Sequence, residues 1–390
     1  MKTSLYIHIP YCLSKCEYCD FFSVKCSQID DFYVRSLCNE IESKAKFFNV
    51  TQWNSIYIGG GTPSLLNKEQ LKQIFNSIYK FVPQSKKSEI TIEVNPDDVT
   101  EDLLVNLEEC GINRLSCGIQ SLNQKSLAFT KRRASLEQNL NALALIQKKW
   151  SGIFSVDLIC GLPYETEKSF LDALEQIILF NPHHISMYSL VVEEETPLGQ
   201  KILNEKIPYD YDFADNLWLA SRDFLQKNGF IQYEVSNFCK KGFECSHNLV
   251  YWNHQDYIGC GSGAVGTIYD FDGSGKRFSN LWNIDEYKKY WLEHFQYDLS
   301  KKDIEEIELI DKETSEFEFF MMGLRKLIGI NSCDYKKIFS KEIPTTVKNQ
   351  FVKWQKNGFA KITNQGEYEN YSLTQEGILF LNKFMEELEL

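Results

Sequence analysis

The chain has 390 residues, of which 43% are hydrophobic and 25% charged, enough apolar mass for sizeable cores in about two or three domains. Its 54 acidic and 42 basic residues give a net charge of −12, which argues against nucleic-acid binding through bulk charge. No apolar run reaches the roughly 18 residues of a membrane span and no cleavage site follows Leu5–Leu13, so we expect a cytoplasmic protein with reduced cysteines.

The first half of the chain alternates short apolar runs with longer amphipathic stretches. The short runs are rich in Ile, Val and Tyr, as buried parallel strands are. The predicted strands are Ser4–Ile9, Ser55–Ile58, Ile90–Val94, Arg114–Ile119, Ile153–Ile159 and His184–Leu190. The predicted helices are Asp30–Phe48, Lys68–Phe81, Glu101–Cys110, Leu136–Trp150, Lys168–Phe180 and Phe213–Lys227. Strand–helix units in series predict an α/β fold, an open, partial (β/α)6 TIM-like barrel over about residues 1–235.

The pattern changes after about residue 235. Residues 236–270 are rich in Cys, His, Asn, Gly and aromatic residues, and residues 282–330 look helical. We therefore predict a linker region over 236–300 and a C-terminal α+β domain over 301–390. The predicted elements of its last part are a helix (Thr345–Gln355), a hairpin (Phe359–Thr363 and Tyr368–Leu373) and a helix (Gln375–Leu388). This order is winged-helix-like, but without a basic stripe it favours packing or partner docking over DNA binding.

Unusual residues follow or interrupt the predicted barrel strands. Strand one runs into Cys12, strand two into Gly59–Pro63, and strand four ends at Gln120. Parallel barrels build their sites at the carboxyl ends of the strands, so we expect these residues to lie close together. Glu93 and Asp157 stand inside apolar strands, where an unpaired carboxylate is costly, so each is predicted to bind something.

The strongest motif is Cys12-Leu-Ser-Lys-Cys16-Glu-Tyr-Cys19. Three thiolates on one short loop can hold three irons of a [4Fe–4S] cluster and leave the fourth iron open to a small chelating molecule. A zinc site would need a fourth ligand, for which Cys26 or His8 is nearest, and Cys26 could also complete a fully ligated cluster. Chance clustering of core cysteines is the remaining alternative. The spacing favours the open cluster.

This loop after the first strand, with Gly-Gly-Gly-Thr-Pro after the second, resembles the radical S-adenosylmethionine (SAM) superfamily. The resemblance implies that the amine and carboxylate of SAM chelate the open iron. It also implies that the reduced cluster cleaves SAM to methionine and a 5′-deoxyadenosyl radical. A buried barrel mouth would keep that radical from water.

Further segments resemble the oxygen-independent coproporphyrinogen III oxidase group of that superfamily. They are Tyr6–Cys12, Gly59–Pro63, Ser116–Ser121, Val156–Pro163 and Glu195–Pro197. The resemblance implies that two tyrosines flank the cluster and SAM, that a glycine turn binds the methionine end, and that a glutamate holds the ribose hydroxyls. The residues implied are, in that order, Tyr6 and Tyr18, then Gly60, Gly61 and Thr62, then Glu93, with Gln120, Arg132 and Asp157 completing the pocket. The alternative for Arg132, within Lys131-Arg132-Arg133, is a solvated helix start.

Within that group the chain resembles the HemW-type haem chaperones more than the true oxidases. The oxidases carry a fourth cysteine two positions after the third, where this chain has Phe21, and a sizeable segment before the cluster. The motif His-Asn-x-x-Tyr-Trp of the HemW type is matched by His247, Asn248, Tyr251 and Trp252. Imidazole is a normal axial ligand of haem iron, and the two aromatic rings offer flat faces for a porphyrin.

The alternative is that His247 is an ordinary core or surface histidine, with Tyr251 and Trp252 packing a domain junction. His254 and the pair His183-His184 are lesser ligand candidates. One run departs from the family: its Gly-x-Gly-Pro-Gly-Ala-His-Ser reads Gly259-Cys-Gly-Ser-Gly-Ala-Val-Gly266 here, so no role is carried over for that histidine. The glycines stay compatible with a close backbone approach to a ligand.

The resemblance implies a haem chaperone with a SAM-liganded cluster. It would bind haem and deliver it to apo-haemoproteins. An electron donor and peripheral membrane association through the clients are also implied. Two enzymatic alternatives stay open, namely oxidative decarboxylation of coproporphyrinogen III and radical SAM chemistry on another substrate.

Overall fold

The structure is a computed structural model that describes residues 1–85, 87–297, 305–366 and 368–390. The strands are β1 (Lys2–Ile9), β2 (Tyr11–Cys12), β3 (Val24–Lys25), β4 (Gln52–Gly60), β5 (Glu89–Val94), β6 (Arg114–Gln120), β7 (Ile153–Cys160), β8 (His184–Ser189), β9 (Ile231–Gln232), β10 (Asn237–Cys239), β11 (Tyr257–Cys260), β12 (Val265–Tyr269), β13 (Gly275–Asn280), β14 (Glu305–Ile310), β15 (Ile330–Asn331), β16 (Ala360–Gln365) and β17 (Tyr368–Leu373). The helices are α1 (Asp31–Phe47), α2 (Lys68–Tyr79), α3 (Glu101–Glu109), α4 (Gln124–Phe129), α5 (Leu136–Lys149), α6 (Glu167–Leu179), α7 (Pro197–Leu203), α8 (Tyr211–Lys227), α9 (Ser246–Trp252), α10 (Ile284–Glu293), α11 (Lys312–Gly323), α12 (Ser332–Phe339), α13 (Thr345–Lys356) and α14 (Leu381–Glu386). Short 3₁₀ turns lie at Pro63–Leu65, Pro96–Asp98 and Gly377–Phe380.

Parallel strands in the order β1-β4-β5-β6-β7-β8 form the centre of the fold. Their apolar side chains, such as Ile7, Ile58 and Ile92, are fully buried in one large core. Local signals set the helix ends: α5 begins after Ser135, whose hydroxyl caps the N–H of Gln138 in a capping box. Within the described residues the sheet stays open, with β14 and β9 at its edges, which confirms the predicted partial barrel.

The sheet extends on both sides beyond the six predicted strands. β11 pairs in parallel with β1 and leads into the antiparallel strands β12, β13 and β14, while β10 and β9 continue from β8. The prediction that 282–330 is helical is therefore wrong at Glu305–Ile310, which pairs with β13 along its length. Pairing outweighs the helix preference of its glutamates. Residues 298–304 of that stretch lie outside the described residues.

A second apolar cluster lies in the C-terminal part, around Phe320, Tyr335, Phe351 and Phe384. Helices α12 and α13 precede the β16–β17 hairpin, and β15 adds a third strand, which gives the predicted winged-helix-like order. The predicted last helix is wrong as one element, because it is a 3₁₀ turn at Gly377–Phe380 followed by α14.

The sheet itself crosses the predicted domain limits. Strands β11 to β14 come from the predicted linker region and the start of the C-terminal domain, yet they pair with the barrel sheet. The division into 1–235, 236–300 and 301–390 therefore stays a prediction. In the described part of the chain, no helix combines the length and the apolar character that a membrane span requires.

Candidate functional site

A cavity of about 500 Å³ lies inside the barrel and reaches the cysteine loop. Its walls are alternate residues of neighbouring strands, which point inward because the side-chain period of a strand is two. They are Tyr57 on β4, Thr91 and Glu93 on β5, Arg114, Ser116, Gly118 and Gln120 on β6, Ser155, Asp157 and Ile159 on β7, and His184, Ser186 and Tyr188 on β8. Most are small or polar, so this barrel is not filled by layers of Val, Ile and Leu and keeps room for a ligand.

All three cysteines of the motif line this cavity. Cys12 ends β2, and its carbonyl accepts the N–H of Cys26 at 2.9 Å across the β2–β3 pair. The Thr62 hydroxyl donates to the Cys12 sulfur at 3.3 Å, and the Arg132 guanidinium donates to the Cys16 sulfur at 3.6 Å. Thiolates with hydrogen-bond donors to sulfur are the donor set that iron–sulfur clusters use, so these residues fit such a group.

The glycine turn at the end of β4 lies against the start of the cysteine loop. Gly60 has φ of +110°, and a Cβ there would stand 2.6 Å from the His8 ring. A Cβ on Gly61 would stand 2.6 Å from the Tyr11 carbonyl oxygen. Only glycine allows this backbone conformation and this approach, so the turn is held at the cavity wall, where Gly60, Gly61 and Thr62 line the space.

The two buried carboxylates predicted to bind something both have partners inside the protein. Glu93 accepts the Tyr57 hydroxyl at 2.9 Å and the Gly60 N–H at 3.1 Å. Asp157 accepts the hydroxyl of Ser116 at 2.7 Å and that of Ser155 at 3.2 Å. Burial raises the pKa of Glu93 to about 7 and also raises the pKa of Asp157. Glu93 therefore changes its charge close to neutral pH, beside open space.

Arg132 points into the cavity and is not part of a solvated helix start. Its guanidinium donates to the Gly118 carbonyl at 2.6 Å and to the Asn95 side chain at 3.1 Å, besides the Cys16 sulfur. Gln120 also lines the cavity and has φ of +65°, a left-handed conformation that is uncommon outside glycine. Strained residues of this kind concentrate at functional sites.

The two predicted tyrosines occupy different positions. Tyr18 lines the cavity beside the cysteines. Tyr6 is absent from the described residues that line it, and its ring stacks behind Tyr57 with centroids 6.3 Å apart. The Tyr6 hydroxyl shares a hydrogen bond of 2.9 Å with His8. Tyr6 therefore supports the wall from behind.

His247 lies in α9, with 1% of its surface exposed. Nδ1 shares a hydrogen bond of 2.8 Å with the Ser55 hydroxyl, and Nε2 shares one of 2.9 Å with the Tyr251 hydroxyl. The imidazole stacks on Tyr57 with ring centroids 5.2 Å apart and is not among the described residues that line the cavity, and burial lowers its pKa to about 3. His247 is thus neutral at physiological pH, and both ring nitrogens are engaged. Asn248, its neighbour, lines the cavity.

The other motif residues face elsewhere. Tyr251 packs edge-to-face on Tyr257 at 4.7 Å, and the Trp252 ring lies 5.3 Å below the Arg325 guanidinium. The motif therefore presents no common face for a porphyrin in this conformation. Its role in haem binding stays a prediction.

The lesser histidine candidates are also engaged within the protein. His184 bonds Ser155 and Tyr233, His183 accepts the Phe154 N–H at 3.2 Å, and His254 bonds Ser315 at 3.0 Å. The glycine run 259–266 approaches the chain itself closely. A Cβ on Gly261 would stand 2.3 Å from the His8 carbonyl oxygen.

Sequence reasoning missed several cavity residues, above all Tyr57, Thr91 and Ser155. Tyr57 holds Glu93 and separates the cavity from His247. A signal was present: polar residues recur at every second position of the predicted strands, as in Arg114-Leu-Ser-Cys-Gly-Ile-Gln120. Parallel strands that are buried on both faces are usually apolar along their length, so such a row indicates that one face lines a polar interior.

Comparisons with known proteins show which family and fold this chain is similar to. A family model described as the radical SAM superfamily matches residues 6–177. The chain is 35% identical to the haem chaperone HemW of Buchnera aphidicola (subspecies Acyrthosiphon pisum), covering 98% of this chain and 97% of that protein. It is 32% identical to the haem chaperone HemW of Escherichia coli K12, with the same coverage. Among solved structures, coproporphyrinogen III oxidase (HemN) from Escherichia coli, a radical SAM enzyme, shares the fold, with a TM-score of 0.81, 20% identity, and coverage of 99% of this chain and 89% of that one.

Proposed function

The chain belongs to the HemW family of the radical SAM superfamily, and from that premise we propose that it is a cytoplasmic haem chaperone. It binds haem and a SAM-liganded [4Fe–4S] cluster and delivers haem to apo-haemoproteins. The observation that carries the proposal is the convergence of the cysteine loop, the glycine turn and Glu93 on one cavity, in a chain that aligns with haem chaperones over nearly its whole length.

In this proposal Cys12, Cys16 and Cys19 hold the cluster, which supplies a low-potential electron. Thr62 and Arg132 donate hydrogen bonds to two of the sulfurs and hold their orientation. An external donor protein provides the electron.

SAM occupies the cavity next to the cluster. The backbone at Gly60, Gly61 and Thr62 binds its methionine end, and Glu93 accepts the ribose hydroxyls when it is ionised. Gln120, Arg132 and Asp157 complete the pocket, and Tyr18 and Tyr6 flank it. The support is that all of these except Tyr6 line one cavity.

Haem binds through the α9 region. His247 is uncharged, which is the form that ligates iron. Its Nε2 has to give up the hydrogen bond to the Tyr251 hydroxyl before it can bind the metal. Tyr251 and Trp252 then contact the porphyrin. The clients are apo-haemoproteins, and contact with membranes is peripheral and occurs through them.

Haem titration and transfer test this proposal. Anaerobically reconstituted protein is titrated with haem and then mixed with apomyoglobin, and transfer is followed by the Soret band. We expect His247→Ala to lose haem affinity, and Tyr251→Phe, which frees Nε2, to keep or increase it. Unchanged binding by His247→Ala would remove that residue from the ligand set, and no haem binding by the wild-type protein would refute the chaperone function.

The oxidase of the same fold supplies the competing candidate. Phe21, 70% exposed at the cavity, stands where that group carries its fourth cysteine, so we expect no oxidase activity. Incubation of the loaded protein with SAM, a reductant and coproporphyrinogen III checks this, because formation of protoporphyrinogen would favour the oxidase.

A further inference from the structure

Glu17 lies within the cysteine motif, between Cys16 and Tyr18, and its side chain is buried. The carboxylate bridges two lysines from distant parts of the chain, Lys131 at 2.6 Å and Lys201 at 2.5 Å. Only 3% of the Glu17 side chain is exposed, whereas both lysines reach solvent. A buried carboxylate needs such partners, because an uncompensated one is strongly destabilising.

The backbone of Glu17 is held by the same two parts of the chain that supply these lysines. Its N–H donates to the carbonyl of Thr130, the residue that follows α4, at 3.0 Å. Its carbonyl accepts the N–H of Leu198, in the first turn of α7, at 2.9 Å. Lys131 follows Thr130, and Lys201 lies one turn beyond Leu198, so backbone and side chain connect the loop to the same two elements.

These contacts place a single residue at the junction of three segments. Arg132, next to Lys131, reaches the Cys16 sulfur, so the turn after α4 contacts the loop at adjacent residues. Lys201 also lies 5.2 Å over the Phe129 ring, which ties α7 to the end of α4. The loop is thereby held by contacts additional to the β2–β3 pairing at Cys12.

We propose that Glu17 is a positioning residue for the iron–sulfur cluster, holding Cys16, Tyr18 and Cys19 in place through the turn after α4 and through α7. It touches neither cluster nor SAM in this role and acts through the loop. The inference rests on the proposed cluster. It assigns one structural role, holding the cysteine loop, to both the Lys131-Arg132-Arg133 run and the segment after Glu195-Thr-Pro197.

The test compares Glu17→Gln, which keeps the shape and removes the charge, with wild-type protein. Both are reconstituted anaerobically, and iron and sulfide per chain, the EPR signal of the reduced cluster with and without SAM, and the rate of cluster loss in air are measured. We expect cluster loss to be several-fold faster in Glu17→Gln, with an altered response of the EPR signal to SAM. The double variant Lys131→Met with Lys201→Met removes both cations that pair with Glu17, and it should give the same changes.

Glu42→Gln is the matched control, because Glu42 also pairs with a lysine, Lys80 at 2.6 Å, but on α1 away from the loop. Thermal unfolding of the cluster-free proteins separates a fold defect from a cluster defect. Equal cluster decay and equal EPR spectra in wild type, Glu17→Gln and the double lysine variant would overturn the inference. A wild-type protein that assembles no cluster would instead refute the proposed function, so the two failures are distinguishable.

Discussion

The cavity wall and helix α9 differ in how sequence distance relates to spatial arrangement. Cys12, Gly60, Glu93 and Asp157 are far apart in the chain, yet they line one cavity. The residues of α9 lie in one short helix, yet they face different surroundings: His247 contacts Ser55 and Tyr57, and Trp252 contacts Arg325. Closeness in the sequence of α9 therefore does not by itself place its residues on one shared surface.

The physical reason is the period of each element. Parallel strands bring their carboxyl ends to the same side of the sheet, so residues from separate strands meet there. A helix advances about 100° per residue, so Tyr251, four positions after His247, shares its face, while Trp252 is rotated by about 140°. This explains the 2.9 Å hydrogen bond within the first pair and the separate environment of Trp252.

The largest expected effect concerns a cysteine that lines the cavity. Cys16→Ala should abolish assembly of the [4Fe–4S] cluster, because two remaining thiolates of the loop cannot hold three irons. Iron and sulfide analysis and the visible absorption of anaerobically reconstituted protein measure this loss.

Cys26→Ala is the matched variant, since the N–H of Cys26 bonds the Cys12 carbonyl and its thiol is the fourth ligand in the alternative of a fully ligated cluster. We expect Cys26→Ala to assemble the cluster and to bind SAM as the wild type does. A cluster that needs Cys26 would have no open iron, and the SAM site would then be wrong.

The pH dependence of the free energy of unfolding tests the surroundings of His247 in α9. His247 has a pKa of about 3 in the fold, below the ordinary value of 6.5, because it is buried without a charged partner. Its neutral form is stable above pH 6.5, and stability falls with pH below that value, since the unfolded chain gains a proton that the folded chain does not. At about pH 5 this one residue lowers the free energy of unfolding by about 2 kcal/mol.

His247→Gln removes that contribution, so its stability should fall less between about pH 6.5 and 5 than that of the wild type in urea unfolding experiments. His254, with a pKa lowered to about 4 by burial, retains part of the slope in both proteins. Tyr251→Phe should lose about 1 kcal/mol at neutral pH and keep the full acid slope. Equal slopes in wild type and His247→Gln would show that the imidazole is already accessible to protons.

The barrel strands and part of the cavity lining were predictable, because they depend on local sequence patterns and on one rule of topology, that sites form at the carboxyl ends of parallel strands. Each predicted barrel strand lies within about three residues of its observed limits, and the cysteines, Gly60 and Glu93 meet where parallel strands end. The sheet extension was not predictable in this way. β11 pairs with β1, about 250 residues earlier, and no local signal encodes a partner so distant.

The surroundings of His247 depend on the same long-range information. Its partner Ser55 comes from β4, and its ring stacks on Tyr57 two residues later. The motif in the sequence shows that a histidine and two aromatic residues are near one another. It does not show that a strand hydroxyl occupies Nδ1 and a tyrosine of the same helix occupies Nε2.

The smallest effect concerns Glu93 and sharpens the comparison, because this group, unlike His247, titrates near neutral pH. Burial raises its pKa to about 7, so lowering the pH below that value protonates the carboxylate that is proposed to accept the ribose hydroxyls. SAM affinity measured by calorimetry should fall roughly tenfold from about pH 8 to 6, the loss of one charged hydrogen bond. Glu93→Gln should bind SAM more weakly and show no such dependence, because its amide does not titrate. A wild-type affinity that stays constant over this range would place the ribose away from Glu93 and leave the Tyr57 hydroxyl and Gly60 amide as that carboxylate's only partners among the described residues.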